Sequence, residues 1–506
     1  MTTELREALD AAGAAALVQK KISPVLLEYQ RRYSPLLRTI PTEKIGSPMY
    51  FFNKRTVLPN GGFVTDGGAR PVSSSTYVQE NFQIRHFQTV GAVTGYAEEV
   101  TSGQVGSLRA REIEGAIKGL QWDVENSLVW AASAPTVAGP YPQFDGLDVI
   151  CSSFSSAASG GPGTGVGGGG VDNYGGATTW GAPYNPWVDS IDQNAIDAGG
   201  KSVSFGLLDQ LMDMVENNVA EPVDGSDYFF LMSPAAISRV AQLSLINQRH
   251  VDKVEIAPGL IVDSYRNVPL VKTSFLAPRT LQMGAVTAAA GGTGTLNTAY
   301  FYKVAPVIAR FGEIQASAEA TFTAVTQGIK LSFSTPTTAE GLQPTHYKVY
   351  RGTATGAETL LGTVDANFYD ASGVAWATTN ITDNGTTLTA GNTAGGSTQA
   401  TVPATYVYGN VNLKPLSLGF QNIYLLSRDP GNIVRPYVRE MQPKDLYATT
   451  SSPDALPFAL VSDTTLAVRA TKYIGRLANV QAAIDATAGN GTVPTVTGYT
   501  PDFVTQ

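Results

Sequence analysis

The stretch SLRAREIEGAIKGLQWDVENSLVWAA, residues 107–132, decides the fold. Within it Ile113, Ile117, Leu120, Val124 and Leu128 recur at spacings of three and four, which puts one apolar stripe along a helix. Glu114 and Lys118 stand four apart and form a favourable pair on the remaining surface. At ~1.5 Å per residue this helix runs roughly 40 Å, the length of a backbone element rather than a connector.

Upstream, residues 1–21 read as an Ala-rich helix and residues 24–33 as a second helical segment, ended by Pro35 and Pro41 and followed by an extended arm. With no preceding domain to pack on, such an arm docks on another surface or stays mobile. Residues 48–100 read mostly as strand, rich in β-branched and aromatic residues. Pro59-Asn60-Gly61-Gly62 and Asp66-Gly67-Gly68 are turn signals between the strands, so a long β-hairpin with a polar tip is expected. An isolated two-stranded ribbon is marginal in water and needs a surface to lie on.

Downstream, residues 205–219 carry Leu208, Leu211, Met212 and Val215 as a helical face. Residues 227–232 read as a short buried strand, and Ser233-Pro234 opens another helix with an N-cap and a proline at its first position. Its core face is Ile237, Val240, Ala241 and Leu245, and strands resume at 260–262 and 268–273. From 283 to 405 Thr, Ala and Gly dominate and no helix is indicated. Strands are expected at 300–305, 320–325, 329–334, 347–350 and 360–364, with Ile329-Lys330-Leu331-Ser332-Phe333 alternating at the period of a one-sided sandwich strand. Glycine runs at 291–294 and 391–396 read as hinges flanking this block. Strand patterns return at 420–426, 434–441 and 465–470.

The bulk numbers narrow the function. Charged residues make up 15% of the 506, against roughly 25% in a typical soluble domain, which fits a surface hidden in contacts with partners. The net charge is −8 and there is no long basic run, so duplex DNA is not gripped through its phosphates. One cysteine, Cys151, excludes an internal disulfide and a Cys-based zinc cluster. The N-terminus lacks the basic region of a signal peptide, and no apolar run approaches the roughly 18 residues of a membrane span.

A search for chemistry returns nothing. His86, His250 and His346 fall in no metal motif and read as solvated or packing side chains. Gly163, Gly165 and Gly168 match G-x-G-x-x-G, but without the strand and helix a phosphate loop requires. The carboxylate pairs Glu98-Glu99, Asp145/Asp148 and Asp189/Asp192 read as loops or caps, although a glycosidase needs two such groups. No catalytic, cofactor-binding or metal-binding residue is therefore expected, and the chain is read as not an enzyme.

The order of arm, hairpin, long helix, α+β body and closing strands resembles the major capsid proteins of tailed bacteriophages with the HK97-type fold. Residues 48–90 would be the extended E-loop and 107–132 the spine helix. FFLMSPAA (229–236) and VDSYRNVPLV (262–271) would lie in the body, and DTTLAVRATKYIGRLAN (463–479) in the closing P-domain segment. YFYKV (300–304), YKVYRG (347–352) and FYD (368–370) resemble Ig-like or fibronectin type III modules. The resemblance implies an α+β HK97-like capsid fold with N-arm, E-loop, spine helix and P and A domains, plus an inserted all-β Ig-like sandwich. The corresponding division is 1–47 arm, 48–100 E-loop and flanking strands, 101–282 spine helix and body, 283–405 sandwich, 406–486 remaining body strands and 487–506 tail.

It also implies a virion protein, made in the host bacterial cytoplasm, that assembles as hexamers and pentamers into an icosahedral head enclosing double-stranded DNA. The insertion would be displayed outside. Implied partners are a scaffolding protein, a portal, possible decoration proteins and packaged DNA contacted without sequence readout, with no membrane and no cofactor. The family's N-terminal scaffolding domain is not seen, which implies a separate scaffold or earlier processing. Some members cross-link through an E-loop lysine. Lys54, the hairpin's one lysine, stands near its base, so that activity is not expected here. A phage tail or surface adhesin is the alternative. It would account for the sandwich but not for the arm, hairpin and helix.

Overall fold

In the computed structural model the long helix runs Leu108–Trp130, and the Ser107 side chain caps it by accepting from the Ala110 amide. Glu114 and Lys118 pair at 2.8 Å. Leu120, Val124 and Leu128 are buried, whereas Ile113 and Ile117 are only half-buried, so the helix is anchored by its C-terminal half. Each fully buried aliphatic side chain contributes about 1.5–3 kcal/mol. The structure describes residues 34–57, 74–105, 107–132, 143–151, 194–219, 221–246, 253–257, 260–276, 283–338, 341–369, 375–391, 402–403, 420–446 and 454–481, with isolated positions 59, 63, 66 and 68.

A seven-stranded sheet forms the body. Its order is Ala195–Asp197, Gly475–Gln481, Phe420–Ser427, Tyr228–Met232, Val268–Lys272, Leu260–Tyr265 and Lys253–Ala257. Alternation along the strands divides two cores. Phe229, Leu231, Tyr424 and Leu426 face the end of the long helix, while Phe230, Met232, Ile423 and Leu425 face the helices Phe205–Val219 and Pro234–Ile246. Leu208, Leu211, Met212 and Val215 are buried as the periodicity predicts, and Ser233 caps the Pro234 helix through the Ala236 amide.

A second sheet lies along the other half of the long helix, in the order Thr42–Lys44, Ile433–Asp445, Ala455–Thr464 and Arg85–Thr94, with Ala467–Val468 also pairing Ile433–Asp445. Several expectations change here. Pro35 starts a short helix, Pro35–Thr39, where a proline in the first turn loses no hydrogen bond. The arm from residue 34 docks on its own body: Leu36 and Ile40 are buried in the main core, and Thr42–Lys44 adds a parallel strand. The two helical readings before residue 34 lie outside the described residues, as do the Gly-rich run at 159–176 and the tail at 487–506.

The hairpin is shorter than expected. Met49–Val57 pairs Thr76–Gln83, whereas Arg85–Thr94 turns away to pair Ala455–Thr464 over its whole length. Residues 95–105 are helix, not strand. Stretch 463–479 is shared between the two sheets.

Residues 287–403 contain two five-stranded sheets facing each other. One has the order Thr287–Leu296, Gln327–Ser332, Asn380–Asp383, Thr387–Gly391, Val402–Pro403. The other has the order Gly312–Glu313, Ala299–Ile308, Pro344–Gly352, Thr359–Asp365, with Ala320–Thr323 also pairing Ala299–Ile308. Tyr302, Val304, Tyr347 and Val349 from one sheet meet Ile329, Leu331, Ile381 and Leu388 from the other. Gly291–Gly294 is no hinge but part of a bulged strand, where the register shifts twice. A Cβ on Gly294 would stand 2.4 Å from the Gly328 amide nitrogen, so glycine there serves close backbone approach. In the second run Gly391 ends a strand, and 392–396 lies outside the described residues.

Candidate functional site

Two regions have chemistry that packing alone does not explain. The first is the hairpin and the sheet end beside it. Tyr50 and Phe82 stand opposite each other at the hairpin base and pack with Val434 and Ala467 of the second sheet. The Tyr50 hydroxyl donates to Glu43 at 2.7 Å, and Arg469 bonds both Glu43 and Tyr50. The opposite face is uncovered: Phe51 is 50% and Tyr77 62% exposed, and Phe63 at the tip is fully exposed. Arg55 lies 5.7 Å over the Tyr77 ring. Lys54 sits mid-strand, 3.9 Å from Glu80, whose carboxyl burial raises above its usual range despite that lysine.

At the far end of the second sheet, Tyr96 and Val100 on the helix Gly95–Val105 lie exposed, with Leu446 and Leu456 beside the same sheet end. Exposed apolar groups collected on projecting elements mark contact surfaces. His86 belongs to this sheet rather than to the hairpin. Its Nδ1 is 2.7 Å from Asp463, which Arg439 also holds, and the imidazole is largely solvated. Glu98 accepts from the Arg109 amide at 2.8 Å, so it joins two helices and is not half of an acid pair.

The second region is a buried cluster where the body meets the sandwich. Gly146 allows the short helix Leu147–Ile150 to approach the end of the long helix, since a Cβ there would meet Ser127 O at 2.8 Å. That seats Asp148, buried, between two cations. Arg476 reaches it from the central sheet, with Nη2 at 3.0 Å from Oδ1 and Nη1 at 2.9 Å from its carbonyl. Lys348 reaches it from the sandwich strand Pro344–Gly352, with Nζ at 2.7 Å from Oδ2. The same Nζ lies 3.1 Å from Glu313 Oε2 and 4.6 Å from the centre of the Trp130 ring. Tyr350 donates to Glu313 Oε1 at 2.8 Å.

Two cations and two anions thus balance with side chains at most 3% exposed. Burial works to raise the Asp148 carboxyl, but Lys348 and Arg476 outweigh it and hold the group below its ordinary value. His346, fully buried beside them, is pushed down to about 3 by burial and then by Lys348, so it is a neutral packing group. Burial pushes the Cys151 thiol up to about 12, which makes it unreactive.

Sequence reading set Asp145 with Asp148 as a possible pair. The structure instead joins Asp148 to Glu313, Lys348 and Arg476, from four separate segments. The one local signal that could have found it is the two-residue spacing that sets His346 and Lys348 on one face of the strand Pro344–Gly352. His250, Asp189 and Asp192 lie outside the described residues. No group of three or more metal-ligating side chains occurs among the described residues, and none of their helices is long and apolar enough to cross a membrane.

A hairpin fastened to a second sheet that lies along a long helix, together with a helix-flanked central sheet, gives the α+β architecture expected of a shell-forming subunit. The chain belongs to the SU10 major capsid protein family, whose profile matches residues 11–285, more than half of its length. Capsid formation is its function. Among curated proteins nothing matches.

Similar solved structures include an encapsulin complex, SrpI, from Synechococcus elongatus PCC 7942. Its TM-score is 0.44 at 10% identity, over 94% of this chain and 97% of that one. The capsid of a native GTA particle has a TM-score of 0.44 at 8% identity, over 94% and 99%. Microbacterium phage Oxtober96 has a TM-score of 0.41 at 10% identity, over 94% and 99%.

Proposed function

We propose that this capsid protein builds an icosahedral phage head around packaged double-stranded DNA, with the hairpin lying on an adjacent subunit and the sandwich displayed outside. The observation that carries the reading is the two-faced hairpin. Its base is fastened to its own body through Tyr50 and Phe82, while Phe51, Tyr77 and Phe63 face solvent. Covering each such ring stabilises a contact by about 1.5–3 kcal/mol, and many modest contacts add up in a closed shell.

The sandwich reads as an insertion because the family match ends at residue 285 and its first strand begins at Thr287. Facing outward suits it, since a DNA-filled lumen has little room. The low density of cations fits a lumen wall that does not grip phosphate. In this reading the structural role is the whole role, with no catalysis on a separate substrate. Assembly would proceed in the host cytoplasm with a scaffolding protein and a portal, and a decoration protein is a further candidate partner.

Negative-stain microscopy of the chain expressed with its neighbouring genes tests the reading. Closed shells, or hexamer and pentamer rings, are expected. Fibres or a dispersed monomer would sink it. Antibody labelling of intact particles against the sandwich tests which side it faces.

A further inference from the structure

We propose that Lys348 and Asp148 condense spontaneously into an intramolecular isopeptide bond that ties the sandwich covalently to the capsid body. Three features of the junction lead there. Nζ of Lys348 lies 2.7 Å from Asp148 Oδ2 in a site where both side chains are at most 3% exposed. A second buried carboxylate, Glu313, stands 3.1 Å from the same nitrogen, so a proton acceptor is already in place. Arg476 holds the other oxygen, Oδ1, at 3.0 Å, where negative charge gathers when the carboxyl carbon is attacked.

The roles follow from the contacts. Glu313 has its Oε1 engaged by Tyr350 and only Oε2 turned to the lysine, which suits it to move protons rather than to be attacked. Asp148 is nearer and is polarised by Arg476, which makes its carboxyl carbon the electrophile. Lys348 Nζ first passes one proton across the 2.7 Å contact to Asp148 Oδ2, which turns the ion pair into a neutral amine and a carboxylic acid. The amine lone pair then attacks Cγ while Glu313 Oε2 takes a second proton from the nitrogen, and Glu313 returns that proton to Oδ2 as the C–Oδ2 bond breaks, so the oxygen leaves as water. Ammonium and carboxylate become an amide and one water, so atoms and charge balance with no oxidant or cofactor.

In bulk water this condensation is opposed by hydration of both ions. Here those hydration shells are already lost, and the buried ions pay for that loss until the amide removes them. Fixed neighbours also react as though at effective concentrations of about 10⁵–10⁸ M. The residual pair, Arg476 and Glu313, remains neutral overall.

Intact mass spectrometry of the purified full chain tests this without any variant. The expected mass is one water below that of the sequence, and trypsin should release a branched peptide joining residue 348 to residue 148. In E313Q the ammonium keeps its Asp148 partner but loses the proton carrier, so the full sequence mass is expected. K348R keeps a cation and should likewise show full mass. Wild-type protein at full mass would overturn the proposal and leave a plain ion pair. A deficit mapped elsewhere in the chain would overturn it too, and an E313Q chain still one water light would overturn the role given to Glu313.

Discussion

Glu125 lies fully buried in the long helix, with Oε1 accepting from the Leu36 amide at 2.9 Å and Oε2 from the Leu37 amide at 2.8 Å. It fastens the arm to the body by supplying the acceptors that the first turn of Pro35–Thr39 lacks. Burial pushes its carboxyl up to about 8, against the pull of those two amides and of Arg435. Between the ordinary value of 4.5 and about 8 the folded chain therefore binds more proton than the unfolded one, and stability falls as pH rises through that window. Glu125→Gln should flatten this dependence, seen as a melting temperature that changes less between the two ends of the window than the wild type does. A wild-type curve that rises with pH would contradict it.

Gly312 gives a second test at this scale. Its φ is +74°, and a Cβ would meet the Trp130 indole nitrogen at 2.6 Å and the Phe275 carbonyl at 2.9 Å. That carbonyl is also the acceptor for the indole N–H, at 2.9 Å. Left-handed strain and overpacking together put the cost of Gly312→Ala at about 3 kcal/mol, measurable by denaturant unfolding.

Among the elements, the long helix and the helices at 205–219 and 234–246 were legible because a repeat of 3.6 runs through them, and body strands such as Tyr228–Met232 and Phe420–Ser427 because they are short, mostly apolar runs, buried on both faces. What the residues could not give was partnership. Arg85–Thr94 has the same β-rich composition as the hairpin strands, and only its pairing with Ala455–Thr464 shows that it belongs to a sheet. Local pattern cannot report a partner nearly four hundred residues away. The same limit hid the charge junction, since Asp148, Glu313, Lys348 and Arg476 are four unremarkable charges until the chain closes.

The hairpin shows how an element divides its labour. Tyr50 and Phe82 hold it to its own subunit, while Phe51 and Tyr77 on the alternate face remain free for another. Replacing both Phe51 and Tyr77 by alanine should leave the melting temperature of the unassembled subunit within about a degree, since exposed side chains contribute little to the fold. Particle yield by microscopy should drop by at least tenfold. A large loss of subunit stability with normal particle yield would reverse the assignment.

For the whole molecule the question is whether the sandwich hangs from the body or is built into it. The turn ending the strand Ala299–Ile308 lies on the long helix, where Arg310 pairs Asp123 at 3.0 Å and fills the space left by Gly119. Gly312 then meets Trp130, and Glu313 and Lys348 close on Asp148. Val307 even belongs to the body's own core, alongside Phe275 and Leu426. A tethered module would present water-facing residues at such a boundary, and its neighbour could unfold without it. Here, before any amide forms, pulling the sandwich away would strand Asp148 and Arg476 without Lys348, and breaking a buried ionic set of this kind costs about 3–5 kcal/mol. Sandwich and body should therefore unfold together, as one endotherm in scanning calorimetry of the unassembled subunit. Deleting residues 283–405 should yield insoluble body rather than a smaller working capsid protein. Two separated endotherms, or a soluble deletion variant that still forms shells, would show instead that the junction is a contact of convenience between independent folds.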